Sequence, residues 1–454
     1  MAQTTRDSEV DVGQAGRPVA GVVVVWSCET PRLLTLRVPP PGLVLGRESL
    51  AQTGDDRLSR QHARIRWNGT RFQVADLGSR NGTFVGGSLV ADGEVTALPP
   101  VVVRTGRTVS LLVPDIQPFE DAEVATVDGA IVGPTLRHAW DAVERAARGG
   151  KTLLLTGESG AGKELAARAF HRASGATGEL VAVNCAAIPA GVAERLLFGA
   201  KKGAYSGADK DADGYLVTAD HGTLFLDEIA ELDAQVQAKL LRVLETGEVM
   251  PLGAARPRPI ELRIVAATLR DLRGEVQAGK FRDDLYFRIG RPEVRLPALR
   301  ERLEDIAWLV AEAARSSALP PHPSLVEACL LRPWPGNVRE LMGEVGRAAH
   351  AATEAARKVV RSEDLDGSAG RLLVPGEMAT LPPGSVRPKP ATLPDHGVIL
   401  AALRDESGNV TRAARRLGIH RNQLRRYVAK HPDAAELSAG SPAEDDESSP
   451  GTVG

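Results

Sequence analysis

At 454 residues, with 43% hydrophobic and 25% charged residues, the chain is too long for one core, and its length predicts about three soluble domains. The net charge of −2 hides a contrast between a basic stretch, 404–430, and an acidic one at Glu444, Asp445, Asp446 and Glu447. No apolar run approaches the ~20 residues that a membrane span needs. Cys28, Cys185 and Cys329 lie far apart without metal spacing, and residues 1–16 lack a signal pattern, which fits a reduced, cytoplasmic protein with no membrane partner.

From 18 to 113 short apolar runs (VAGVVVVW, LLTLRV, LVLG, ARIRW, FQVADL, VVVR, TVSLLV) alternate with turn residues, which predicts an all-β sandwich. It carries LVLGR, LSRQHARI and DLGSRNGTFVGG, and with these it resembles a forkhead-associated (FHA) domain. The resemblance implies phosphothreonine binding by loops at one end of the sandwich. Arg47, Ser59, Arg60, Arg80 and Asn81 would hold the phosphate and the flanking backbone, and arginine and hydroxyl donors suit a dianion. His62 reads as a brace between loops, and Gly87 stands where an asparagine is often found. Residues 114–130, acidic and poor in large apolar side chains, read as a linker.

From 131 to 297 apolar strands alternate with helical stretches, which predicts an α/β fold with a parallel sheet. GESGAGKE lies between a buried strand and a helix, the context required of a phosphate-binding loop. Gly157, Glu158, Ser159, Gly160, Ala161, Gly162, Lys163 and Glu164 would close backbone N–H groups on the phosphates of ATP, with Lys163 pairing the β- and γ-phosphates. Glu164 replaces the usual Ser/Thr, so Mg²⁺ must depend on water and distant carboxylates. GTLFLDE supplies these: Asp227 would hold Mg²⁺ and Glu228 would orient the attacking water. Residues 298–365 read as a helical lid, and 366–394, rich in Pro and Gly, as a flexible linker.

The stretches GESGAGKELAARAFH, VNCAAIP, LFGAKKGAYSGA, GTLFLDEIAELDAQVQAKLLRVLETGEV, FRDDLYFRI, LPALRER and WPGNVREL, in this order, resemble the AAA+ motor of sigma-54 transcription activators. The resemblance implies that Asn184 senses the γ-phosphate by bonding Glu228. It implies that Arg282 and Arg288 reach a neighbour's ATP in a homo-oligomeric ring, expected to be a hexamer, and that Arg339 contacts nucleotide from the lid. Gly203, Ala204, Tyr205, Ser206, Gly207 and Ala208 match the loop that touches sigma-54, with Tyr for Phe and Ser for Thr. Where the family has Thr-Asn, this chain has Thr268-Leu269, and leucine lacks the asparagine's polar group. The sandwich takes the place of the receiver domain common in the wider family, so control would come from a phosphothreonine in a partner protein or in this chain's own segments.

Residues 395–434 read as three short helices and resemble the Fis-type helix-turn-helix that ends such activators. Thr411, Arg421, Asn422, Gln423, Arg425 and Arg426 are the expected contacts to upstream DNA. The tail, 435–454, reads as disordered. The whole implies an ATP-hydrolysing regulator of sigma-54 RNA polymerase. The alternatives are a phosphopeptide- and DNA-binding regulator that uses ATP only as an assembly switch, and an ATPase acting on another sigma factor.

Overall fold

In the computed structural model the run GVVVVWS forms strand β1 (Gly21–Ser27), and all seven of its residues are buried. Described are residues 17–372 apart from 92, 190 and 205–208, and, near the C-terminus, 396–406, 408, 410, 413, 424, 427–428, 431 and 433–434. The chain divides into two units, Met1–Thr380 and Leu381–Gly454.

The first unit opens with the expected sandwich. After β1 come β2 (Thr30–Arg37), β3 (Leu43–Leu45), β4 (Ala63–Trp67), β5 (Phe72–Asp76), β6 (Thr83–Val85), β7 (Ser88–Leu89), β8 (Glu94–Ala97), β9 (Val101–Thr105) and β10 (Thr108–Val113). They form one sheet in the order β2-β1-β10-β9-β6-β7 and a second in the order β3-β4-β5-β8. Side chains alternate across a strand, and in β1 both faces find a core. Val22 and Val24 join Leu45, Ile65, Phe72, Val74 and Leu112 between the sheets. Val23 and Val25, with Trp26 beyond a bulge, face the other way and join lid residues.

Residues 114–130, expected as a linker, are instead built into the body. Ile116 is fully buried and its N–H donates to Val19 O at 2.9 Å, while Glu120 pairs with Arg37 and Asp128 with Arg172. A small hairpin, β11 (Ala125–Val127) and β12 (Ala130–Val132), completes the segment. Ile116, Phe119 and Ile131 supply the apolar surface that seats it.

The α/β layer follows: α1 (Pro134–Gly149), β13 (Thr152–Thr156), α2 (Lys163–Ala173), β14 (Leu180–Asn184), α3 (Ala193–Phe198), α4 (Tyr215–Thr218), β15 (Thr223–Asp227), α5 (Ala234–Thr246), the two-residue strands β16 (Glu248–Val249) and β17 (Arg258–Pro259), β18 (Arg263–Thr268), α6 (Leu272–Gln277), α7 (Asp283–Ile289) and β19 (Glu293–Arg295). Strands β14-β15-β18-β13-β19 form a parallel sheet. Its central strands are apolar on both faces, as a sheet covered by helices requires. The phosphate loop and the Asp-Glu pair both emerge at its C-terminal edge, where ligands of such sheets bind.

The lid consists of α8 (Glu304–Ala314), α9 (Pro323–Leu330) and α10 (Asn337–Glu354). Helix α9 packs on β1, β9 and β10, and α8 on β1 and β2. Ile306, Leu309, Val310, Leu325, Val326 and Leu330 share one core with Val23, Trp26, Val102, Val109 and Leu111 of the sandwich. The beginning of the expected linker, 366–372, is held on the lid: Arg332 Nη1 donates to Asp366 O and Ala369 O at 2.9 and 2.8 Å.

In the second unit α11 (His396–Asp405) places Ile399, Ala402 and Leu403 against Ala413, Leu424 and Ala434. The expected DNA contacts Thr411, Arg421, Asn422, Gln423, Arg425 and Arg426 lie outside the described residues. Among the described residues no helix is long and apolar enough to cross a membrane.

Candidate active site

The phosphate loop is shaped by its glycines. Gly157, Gly160 and Gly162 all have φ in the left-handed range, and a Cβ on Gly160 would stand 2.3 Å from Gly336 O of the lid. Lys163 opens α2, is 7% exposed, and donates to Gly157 O at 2.9 Å. Its Nζ lies 3.7 Å from Glu228 Oε1. Asp227 ends β15, and its Oδ1 is buried without a hydrogen-bond partner. Glu228 takes φ +52°, a left-handed conformation that costs a residue with a side chain on the order of 1–3 kcal/mol and recurs at functional sites. That turn aims its carboxylate back over the loop.

These groups line a cleft of about 880 Å³ together with Ser159, Gly160, Ala161, Gly162, Glu164, Asn184 and Arg339. Ile131, Leu136, Trp140, Val338 and Met342 form its apolar part, a surface suited to a flat base. The buried, unpartnered carboxylate oxygen of Asp227 is a hard donor of the kind that Mg²⁺ takes, so the residues present fit that ion. Cys185 lies close by, but burial, with Asp227 and Glu228 beside it, pushes its thiol up to about 12, which keeps it protonated and inert.

Several expected residues have partners within the chain. Glu158 is in the loop, yet its carboxylate faces the lid: Arg300 grips it with two bonds of 2.6 and 2.8 Å, and Asn337 Nδ2 adds a third at 3.1 Å. The hydrogen bonds from Arg300 hold it down at about 2. Its side chain is therefore a tie between loop and lid. Asn337 is fully buried, also donates to Ser159 O, and accepts from Leu299 N–H. Glu164 turns to solvent and pairs with Arg168 at 2.8 Å. Asn184 does not bond Glu228; its Oδ1 accepts from Ala186 N–H at 3.0 Å and caps the short turn that follows the strand. Glu228 is held instead by the N–H of Leu269 at 3.1 Å. This donor is backbone and owes nothing to the Leu269 side chain, which is 52% exposed at the cleft. Thr268 is buried and caps Arg270 N–H at 2.9 Å.

Arg339 reaches Ser159 Oγ at 3.4 Å from α10. Arg282 and Arg288 stand apart from this chain's cleft: Arg282 pairs with Asp284 at 2.6 Å and Arg288 donates to Leu244 O at 2.9 Å. Gln237, which residue type alone does not mark, fixes the first of them. It is fully buried on α5, and its Oε1 accepts from Arg282 N–H at 2.9 Å. Gly203 and Ala204 are placed beside Lys201, while Tyr205, Ser206, Gly207 and Ala208 lie outside the described residues.

The loops expected to bind phosphothreonine gather at one end of the sandwich. A Cβ on Gly46 would meet Arg60 O at 2.0 Å, so only glycine lets the two loops approach. Arg47 Nη2 donates to Leu58 O at 3.1 Å, Ser59 Oγ accepts from Arg80 N–H at 3.1 Å, and Asn81 Nδ2 donates to Arg57 O at 2.7 Å. Arg47, Arg60 and Arg80 are exposed. His62 is fully buried, accepting from Ser59 N–H through Nδ1 and reaching Gly82 O through Nε2, which makes it the brace that the sequence suggests.

Comparison with known proteins follows the same order along the chain. The FHA domain family matches residues 43–111, the sigma-54 interaction domain family residues 131–295, and the Fis family of bacterial regulatory proteins residues 395–431. The hydrogenase transcriptional regulatory protein HoxA of Bradyrhizobium diazoefficiens is 42% identical over 62% of this chain and 59% of its own length. The transcriptional regulatory protein ZraR of Escherichia coli K12 is 37% identical over 67% of this chain and 70% of its own. Among solved structures, NtrX of Brucella abortus in complex with ATP is 28% identical, covering 69% of this chain and 70% of that one at a TM-score of 0.49. With an AAA+ ATPase domain between an FHA sandwich and a Fis-type helix-turn-helix, the chain belongs to the sigma-54 transcription activator family.

Proposed function

We propose that the protein binds upstream DNA and uses ATP hydrolysis to remodel sigma-54 RNA polymerase, under the control of phosphothreonine recognition by its FHA domain. The observation that carries the motor reading is the convergence of Lys163, Asp227 and Glu228 on one cleft beneath Arg339. Lys163 neutralises the β- and γ-phosphates, and Glu228, left-handed and held by Leu269 N–H, orients the attacking water. Mg²⁺, held by Asp227, would supply further charge neutralisation at those phosphates. Arg282 and Arg288 complete a neighbour's site in a ring of copies, each released from its intrachain partner. The exposed guanidinium groups of Arg47, Arg60 and Arg80 around Ser59 support phosphothreonine as the input, from a partner or from this chain.

The test is ATP turnover by the full chain, with transcription in vitro from a sigma-54 promoter. Glu228→Gln is expected to lower turnover by roughly 10²–10⁴-fold while nucleotide binding persists. Turnover at the wild-type rate in that variant would overturn the motor reading. Sequence-specific DNA binding and ATP-dependent assembly without sigma-54-dependent transcripts would favour the assembly switch.

A further inference from the structure

Between the sandwich and the lid stands a buried ion pair that no part of the nucleotide site uses. Arg104 Nε donates to Glu327 Oε2 at 2.6 Å, and the two side chains are 15% and 6% exposed. The Arg104 guanidinium also lies 3.7 Å from the centroid of the Phe84 ring, a cation–π contact. Beside it the β6–β7 turn meets the end of α9: a Cβ on Gly87 would stand 3.1 Å from Leu331 Cδ1.

Bonds connect this pair to the phosphothreonine loops. Asn81 holds Arg57 O, and Arg57 N–H donates to Asp55 Oδ1 at 3.0 Å. Asp55 is 4% exposed and accepts from Arg107 N–H at 2.7 Å and Thr108 Oγ1 at 2.9 Å, at the turn that joins β9 to β10. Arg104 sits on β9 just before that turn. The lid in turn reaches the phosphate loop. Immediately before α8, the 2% exposed Arg302 donates to Ala161 O at 2.7 Å, and at the start of α10 Asn337 holds Glu158 and Ser159.

We propose that α9 is the seat of the FHA sandwich, keyed by Arg104–Glu327, and that phosphothreonine occupancy changes ATP turnover through this seat. The second half rests on the phosphothreonine reading above; the first does not. The lid packs on the sandwich through α8 and α9 and bonds the phosphate loop through Arg302 and Asn337, so a contiguous path of packed and bonded groups joins the two sites.

The full chain is compared with Arg104→Glu, Glu327→Arg and the double exchange. The measurements are peptide affinity, ATP turnover with and without a phosphothreonine peptide that binds the wild type, and amide hydrogen exchange of 101–113 and 323–330. The wild type is expected to change turnover about five-fold or more on peptide binding. Each single variant is expected to lose that response while peptide affinity holds, with faster exchange in both segments together; the double exchange restores both. Leu331→Arg, at the rim of the seat, repeats the loss without burying a charge, which covers the case of a single variant that fails to fold. An unaltered peptide response in Leu331→Arg and in the single variants, or a double exchange that restores nothing, overturns the proposal. If no phosphothreonine peptide binds the wild type, the phosphothreonine reading fails and the coupling half falls with it. Hydrogen exchange then decides the seat alone: joint loosening of the two segments supports it, and independent behaviour sinks it.

Discussion

The two sheets of the sandwich have the same length scale and opposite surroundings. In β4, burial alternates residue by residue, with Arg64 and Arg66 on the outer side. In β1 no residue is exposed, because its second face is covered by the lid. One sheet is therefore a surface that presents loops, and the other is a wall between two cores. The difference teaches where force can pass: the outer face of the open sheet meets solvent, so its loops reach the lid only through bonds to the wall, where a change is felt on both sides.

Three substitutions or conditions sharpen this contrast. The largest effect is expected for Val23→Asp, which places a charge in the core shared with the lid. A buried, unpaired charge is worth several kcal/mol, and calorimetry of the full chain should show the sandwich and the lid losing stability together. Separate transitions, with only the sandwich shifted, would break the comparison.

A smaller effect is expected from pH. His322 precedes α9, and its Nδ1 accepts from Ser324 N–H at 3.2 Å. Burial, with Arg361, Arg104, Arg57 and Arg107 facing it, pushes its pKa down to about 4. The folded state thus keeps it neutral, whereas the unfolded chain takes up a proton near the ordinary value of 6.5. Its contribution is complete above pH 6.5 and is lost as the pH falls towards 4. Hydrogen exchange of 323–330 should quicken over that window, and His322→Asn, which keeps a capping side chain, should flatten the dependence relative to the wild type.

The smallest effect is expected for Arg64→Ala on the open sheet, within about 0.5 kcal/mol by thermal unfolding. A loss comparable to that of Val23→Asp would mean that the outer sheet is also covered.

The phosphate loop and the Asp-Glu pair were legible because their chemistry depends on short spacing and on a strand before and after. The tie made by Glu158, Arg300 and Asn337 was not, since Asn337 lies 179 positions from Glu158 and nothing in GESGAGKE says which way a carboxylate turns. The bond from Leu269 to Glu228 was hidden for a related reason: the letter names a side chain, whereas the bond comes from the backbone. The covered face of β1 did leave a trace. GVVVVWS is continuous rather than alternating, the pattern of a strand buried on both sides. A half-exposed sandwich strand would have carried a polar residue at every second place. Residues 114–130 were read by acidity and by their few large apolar side chains, and Ile116 and Phe119 outweighed both by anchoring the segment.

The covered face of β1 also bears on what separating the sandwich from the lid would expose. Cutting this chain between 114 and 130 would bare Val23, Val25, Trp26 and Leu111 on one piece and Leu325, Val326 and Leu330 on the other. Contiguous apolar surface of that kind drives association between copies. A different sensor joined at the same point would have to bring its own apolar face, shaped to α8 and α9, or the lid would need a new polar coat. The FHA sandwich of this protein is thus built into the ATPase lid, not plugged into it.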